Sequence, residues 1–159
     1  MEPVMNWNFN YYIPTEVAFG CGKVAEVGKL VRRFGTRALL VSGPKDSRLQ
    51  ELYRKVLKLL EEEGIEAAHF DGVIPNPTTD VVSAGAKMAM DMGAQMVIGI
   101  GGGSSMDTAK AIAVEASHEG GAWDYLYYKQ PPTEKTLPII TISTTAGTGS
   151  QTTTVAVIT

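Results

Sequence analysis

An α/β fold built on a parallel sheet is predicted by three observations. Short apolar runs alternate with stretches of helical periodicity about 10–15 residues long, the order expected of crossover units. The inner runs are apolar without alternation, as strands covered on both faces are. Glycine-bearing turns follow two of those runs, where a parallel strand would hand over to the next element. At 159 residues and 17.0 kDa the chain has the size of one domain, which spans about 50–250 residues, and can bury a core without staples.

The elements follow in order. Phe9 to Phe19 is rich in Tyr, Ile, Val and Phe with Pro14 between two short runs, which predicts an N-terminal β-hairpin or edge strands, since proline removes a ladder donor. Lys23 to Phe34 places Val24, Val27, Val31 and Phe34 on one helical face, with Gly35 as its stop. Arg37 to Ser42 is a buried strand. Ser47 to Glu63 is helical, with Leu49, Leu52, Val56, Leu59 and Leu60 inward and Gly64 ending it. Ile65 to Phe70 is the second inner strand, and Asp71 to Pro77 a loop. A helix with Val81, Val82, Met88 and Met92 on one side follows Thr78, its expected cap. Met96 to Ile100 is strand, Ser104 to Ser117 helix, and His118 to Lys135 a long connection holding Trp123, Tyr125, Leu126, Tyr127 and Tyr128. That aromatic stretch is expected to pack against the sheet, with a lid over the site as the other reading. Leu137 to Ile142 is strand, Ser143 to Ser150 loop, and Val155 to Ile158 the start of another strand. The sequence reaches Thr159 inside that apolar pattern, so a domain that continues is expected.

Composition excludes several classes. Fourteen Lys and Arg against seventeen Asp and Glu give a net charge of −3, which is not the footprint of a duplex-binding module. Charged residues at 19% with 44% hydrophobic residues argue against disorder. One cysteine and two histidines supply neither an internal disulfide nor a multi-histidine metal site. The opening MEPVMNWNFN lacks the pattern of a signal peptide, and no apolar run approaches the ~20 residues of a membrane span. The expected compartment is the cytoplasm.

The strongest chemical signal is GIGGGSSMDTAKAIA, Gly99 to Ala113. An apolar strand runs into three glycines and a helix begins at Ser104. Such a turn lets backbone N–H groups approach an anion, and the helix N-terminus adds its positive dipole end. A diphosphate fits; so does a plain strand–helix turn without a ligand. Ser104 and Asp107 have capping-box spacing. The second loop, STTAGTGSQTTT from Ser143 to Thr154, carries hydroxyls and no lysine, so it is not the phosphate loop of NTPases. Its hydroxyls suit a phosphate, a ribose or a nicotinamide amide, or they cap the sheet as a polar loop. Two such loops at consecutive strand ends favour a ligand at that rim. Pro75-Asn76-Pro77-Thr78 lies on the same rim and reads in isolation as a rigid turn. His69 and His118 read as structural or solvated, Cys21 as an unactivated turn residue and Glu61-Glu62-Glu63 as a solvated helix end.

GGGSSMDTAKAIA followed by TISTTAGTGSQTTTVAVIT resembles the iron-dependent (group III) alcohol dehydrogenase family, and Phe19-Gly20-Cys21-Gly22 and Pro75-Asn76-Pro77-Thr78 match two further turns common in it. The resemblance runs in order over essentially the whole chain. It implies a Rossmann-like dinucleotide-binding domain over residues 1–159, corresponding to the family's N-terminal domain. The family's helical C-terminal domain, with an Asp and three His holding iron or another divalent metal, has no counterpart here, so this chain alone is expected to bind cofactor without turning over. By resemblance Gly102, Gly103 and Ser104 hold the cofactor diphosphate, with Asp107 close by. Thr144, Thr145, Thr148 and Thr153 match cofactor contacts of the second loop, and Asn76 a residue near the adenosine side. The chain departs from the family twice: Gln151 stands where a Glu is usual, and Gly43 where relatives preferring NAD often carry Asp.

The implied reaction is hydride transfer between an alcohol or aldehyde carbon and a nicotinamide, NADP being favoured over NAD because Gly43 removes the acid that bonds a ribose 2′-hydroxyl. The expected partner is a small alcohol or aldehyde, with no nucleic acid and no membrane, and a homodimer is the assembly considered. Two alternatives remain open: a stand-alone nucleotide-binding module without catalysis, and a dehydroquinate synthase-like relative.

Overall fold

The computed structural model describes residues 10, 12–125 and 129–159. Its strands are β1 (Arg37–Ser42), β2 (Glu66–Phe70), β3 (Met96–Gly101) and β4 (Ile139–Ser143), all parallel, in the order β2-β1-β3-β4. The helices are α1 (Val27–Val31, with 3₁₀ turns at Lys23–Glu26 and Arg32–Phe34), α2 (Gln50–Glu62), α3 (Thr79–Asp91), α4 (Gly103–Glu115) and the short α5 (Ala122–Tyr125).

Period-2 alternation in the strands divides the core into two layers. Ala38 and Leu40 of β1 meet Val31, Tyr53, Val56 and Leu60 of α1 and α2. Leu39 and Val41 face Val82, Ala89, Ala109 and Ile112 of α3 and α4 on the other side. Each of these fully buried leucines contributes about 1.5–3 kcal/mol through removal from water. From β1 the chain passes through α2 to β2, on one side; from β2 it passes through α3 to β3, on the other. The direction of winding therefore reverses between β1 and β3, and open α/β sheets form their ligand crevice at that point, outside the carboxyl ends of the strands.

Two expected strands are not formed. Residues 12–19 adopt no strand, with Tyr12, Val17 and Phe19 exposed; Phe9 and Tyr11 lie outside the described residues. A strand needs a hydrogen-bonded neighbour, and none of the four described strands pairs with this segment. Val155 to Ile158 forms no strand and pairs with none of the four described. Instead Thr159 N–H donates to Pro77 O at 2.9 Å and Thr79 N–H to Thr159 O at 3.1 Å, which holds the segment beside the start of α3. The aromatic connection also differs from expectation: Trp123 is exposed, and the Tyr125 hydroxyl donates to Glu119 O at 2.6 Å. Leu126, Tyr127 and Tyr128 lie outside the described residues. Among the described residues no helix is long and apolar enough to cross a membrane.

Candidate functional site

β3 delivers its chain into the turn Gly101-Gly102-Gly103 and straight into α4. Gly101 has φ +144°, and a Cβ there would lie 2.8 Å from Ser105 Cβ and still nearer its hydroxyl. At Gly99 a Cβ would come within 2.8 Å of Ala109 Cβ. These two glycines let α4 pack down on the end of β3. The N-cap is Gly102, with no side-chain capping bond, so the first N–H groups of α4 have no partner inside the helix. This corrects the expected capping box: Ser104 lies inside the helix, and Asp107 is bonded elsewhere.

The threonine loop closes over this turn. Thr144 N–H donates to Gly101 O at 3.0 Å, and Ser143 Oγ donates to Thr145 O at 2.8 Å. A Cβ at Gly102 would reach 3.2 Å from Thr145 Oγ1, and one at Gly103 would reach 3.3 Å from Thr148 Cγ2. The fit between the two loops is therefore tight at both positions, where an added Cβ would make the threonines yield by tenths of an ångström. Asn76, Pro77, Gly103, Ser104, Asp107 and Thr148 line one open cleft of about 270 Å³, with Ser150, Val155 and Val157 also on its wall. Asn76 adopts φ +52° between two prolines, a left-handed conformation that asparagine tolerates better than most residues.

A buried charge network lies behind the cleft. Asp107 Oδ1 accepts from Ser150 Oγ at 2.6 Å and from Lys110 Nζ at 3.3 Å, while Oδ2 accepts from Val157 N–H at 3.1 Å. Lys110 Nζ also donates to Ser150 Oγ at 2.8 Å and to Val155 O at 2.6 Å. Burial pushes the lysine below its ordinary range, and the Asp107 carboxylate opposes that shift. The network fastens both the threonine loop and the segment after it to α4. Lys110 and Ser150 were not singled out in the sequence. The available signal is an Asp and a Lys three residues apart in a helix whose other residues, Glu115 at its end excepted, are small or apolar, a stretch buried on nearly all sides.

A second polar group sits at the end of β1, one strand away. Ser42 is fully buried, and its Oγ lies 2.7 Å from both Gly43 O and His69 Nε2. A Cβ at Gly43 would meet nothing closer than Val73 O at 4.0 Å. Lys45 and Asp71 flank the turn with charged atoms 3.9 Å apart. Burial, then the Lys45 charge, lowers the His69 pKa from its ordinary 6.5, while Asp71 acts the other way. The unfolded chain therefore takes up a proton at this histidine before the folded one does. Stability is expected to fall as pH drops through 6.5 and to stop responding to His69 below its folded value. Urea midpoints from pH 8 to 5 measure this, and His69→Gln should flatten the acid side.

Of the residues predicted for the site, Asn76, Gly103, Ser104, Asp107 and Thr148 share the cleft, and Gly102 and Thr145 adjoin it. Gly43 is at the neighbouring strand end. Thr144 is held by its backbone, and Thr153 is exposed after the Ser150–Thr152 turn. A dinucleotide fits this donor set, because the uncapped start of α4 opens on the cleft that Gly103, Ser104 and Thr148 line. Among the described residues no three His, Cys, Asp or Glu side chains cluster as metal ligands.

The family model of iron-containing alcohol dehydrogenases matches residues 14–159. The chain belongs to the iron-containing alcohol dehydrogenase family. It is 36% identical over 151 residues to NADH-dependent butanol dehydrogenase B of Clostridium acetobutylicum, covering 95% of this chain and 38% of that protein. It is 41% identical over 157 residues to choline dehydrogenase of Bacillus subtilis, covering 94% and 38%. Among solved structures, an archaeal halo-thermophilic alcohol dehydrogenase from a Red Sea brine pool superposes with a TM-score of 0.88 at 37% identity, covering 98% of this chain and 41% of that one. The chain thus spans about two fifths of the length of these relatives. The parallel α/β sheet is the family's fold, in agreement with the Rossmann-like expectation.

Proposed function

We propose that this chain is the dinucleotide-binding domain of a metal-dependent alcohol dehydrogenase acting on a small alcohol or aldehyde. The carrying observation is the bare glycine turn at the reversal point of the sheet, packed closely against the threonine loop and opening on the cleft that Asn76, Gly103, Ser104 and Thr148 line. The N–H groups of Gly103 and Ser104 and the Ser104 hydroxyl are positioned for a diphosphate, with the helix dipole favouring its charge. Thr145 supplies a hydroxyl from the opposite side, Thr148 packs its methyl toward Gly103 while its hydroxyl accepts from Ser150 N–H at 3.3 Å, and Thr144 keeps that loop on the end of β3. Asp107 acts behind the site through Lys110 and Ser150, holding the loop in place. The chemistry supplied by the bound cofactor is hydride exchange with the substrate carbon. No described residue is assigned to a metal.

The adenosine end falls to the β1 turn, and there the reading favours NADP. Gly43 offers neither the acceptor for a 2′-hydroxyl nor a charge to repel a 2′-phosphate, and Lys45, its ammonium 3.9 Å from Asp71, supplies a cation beside the turn. NAD is the competing reading, since the clostridial relative is named for NADH and Asp46 and Asp71 lie nearby. Competitive titration separates the two: NADP is expected to bind tighter, and equal or tighter binding of NAD contradicts the preference. Gly43→Asp should weaken NADP by roughly tenfold or more, through one like charge placed near the phosphate, and affect NAD far less.

A further inference from the structure

We propose that His69 is a proton-linked specificity residue of the adenosine end: neutral, it positions Ser42 beneath the β1 turn; protonated, it favours a 2′-phosphate over a 2′-hydroxyl. The inference rests on the dinucleotide reading and adds a residue and a pH dependence to it.

The register sets the geometry. Leu40 of β1 pairs with His69 of β2, and Ser42, two residues on, points to the same face. This brings Ser42 Oγ to 2.7 Å from His69 Nε2, and the same oxygen is 2.7 Å from Gly43 O. A carbonyl can only accept, and serine has one proton. The Ser42 hydroxyl therefore donates to Gly43 O, and His69 Nε2–H donates to Ser42 Oγ. Nδ1 is left as the basic nitrogen. A proton added there leaves both bonds intact, so the ring gains a charge without dismantling the turn. The peptide it supports is that of Gly43, where the proposed cofactor preference resides.

The groups facing the ring come from three elements. Tyr53 of α2 packs edge-on, with centroids 5.3 Å apart at 72°. Lys45 follows β1 and Asp71 follows β2. Burial, then the Lys45 charge, lowers the proton affinity of the free ring, while Asp71 acts the other way. A dianionic phosphate at the Gly43 turn adds a negative charge that reverses this balance. Binding of a 2′-phosphorylated ligand then raises the proton affinity of His69 Nδ1, and binding of its 2′-hydroxyl counterpart does not.

The test uses the 159-residue chain with adenosine 2′,5′-bisphosphate and 5′-AMP as probes, titrated by calorimetry at pH 8.0 and 6.5, and with NMR titration of the histidine rings. The chain has only two histidines, so His69→Gln assigns the signals while retaining an amide donor toward Ser42. The preference for the bisphosphate over 5′-AMP is expected to grow roughly two- to fourfold on going to pH 6.5, the part of a tenfold limit for one pKa unit of coupling that is reached above the free ring's own titration. The ring of His69 should titrate at higher pH with the bisphosphate bound and not with 5′-AMP, and His69→Gln should flatten the pH profile. A bisphosphate preference that is the same at both pH values, with an unmoved ring titration, overturns the role of His69 and leaves the NADP reading standing. No preference for the bisphosphate at either pH overturns both.

Discussion

Gly103→Val is expected to weaken dinucleotide binding about a hundredfold or more, the scale of losing two charge-assisted hydrogen bonds, while the sheet stays folded. Gly103 opens α4 and needs no left-handed backbone, so valine is tolerated by the chain itself. The cost arises across the cleft. A Cβ alone would stand 3.3 Å from Thr148 Cγ2, and two further methyls force the threonine loop away. The loop hydroxyls and the amides of Gly103 and Ser104 can then no longer converge on one diphosphate. Gly103→Ala should show a smaller loss, because one methyl asks the loop to yield by only tenths of an ångström. Fluorescence titration with NADPH beside circular dichroism measures both; unchanged affinity in a folded Gly103→Val protein contradicts the assignment.

The second large effect is on stability. Asp107→Ala is expected to cost about 3–5 kcal/mol, the usual result of removing one partner from a buried ion pair. It strands Lys110, whose side chain is 8% exposed, and takes away the acceptor of both Ser150 Oγ and Val157 N–H. The deficit should have a distinctive pH dependence. Lys110 is already held below its ordinary 10.5 by burial, and Asp107 is what counters that. Without the carboxylate, the folded state resists protonation more strongly while the unfolded lysine still titrates near 10.5. The penalty therefore shrinks as pH rises toward 10. Urea midpoints at pH 7 and 9.5 check the sign, and a deficit that is constant or widens would show that the lost carboxylate is not what stabilises the charge.

Local pattern and long-range pairing differed in how plainly the sequence displayed them. Arg37–Ser42 is found as expected, because a continuous apolar run bounded by Gly35-Thr36 and Gly43-Pro44 leaves one solution. The glycine turn and α4 are equally plain, since strand, glycines and helix are contiguous. The N-terminal hairpin and the strand at Val155–Ile158 fail for a common reason. Both segments have strand composition, but a strand is made by its partner, and pairing depends on residues far away in the chain. The charge network was hidden in the same way. Asp107 and Lys110 are close in sequence, but Ser150, Val155 and Val157 lie 40 or more positions further on, and only the folded chain brings them to α4. The Ser42–His69 bond crosses 27 positions and turns a histidine that reads as an ordinary strand residue into part of the β1 turn.

The central claim, that the glycine turn and threonine loop together hold a nicotinamide dinucleotide, is tested most directly by following the backbone amides of the 15N-labelled chain by NMR as NADP⁺ is added. The largest shifts are expected at Gly102, Gly103 and Ser104, with a second group at Thr144, Thr145 and Thr148 and a third around Gly43. Saturating shifts clustered instead near His118 and Thr133, or no shift at Gly102 to Ser104 while others saturate, would place the ligand elsewhere and contradict the site.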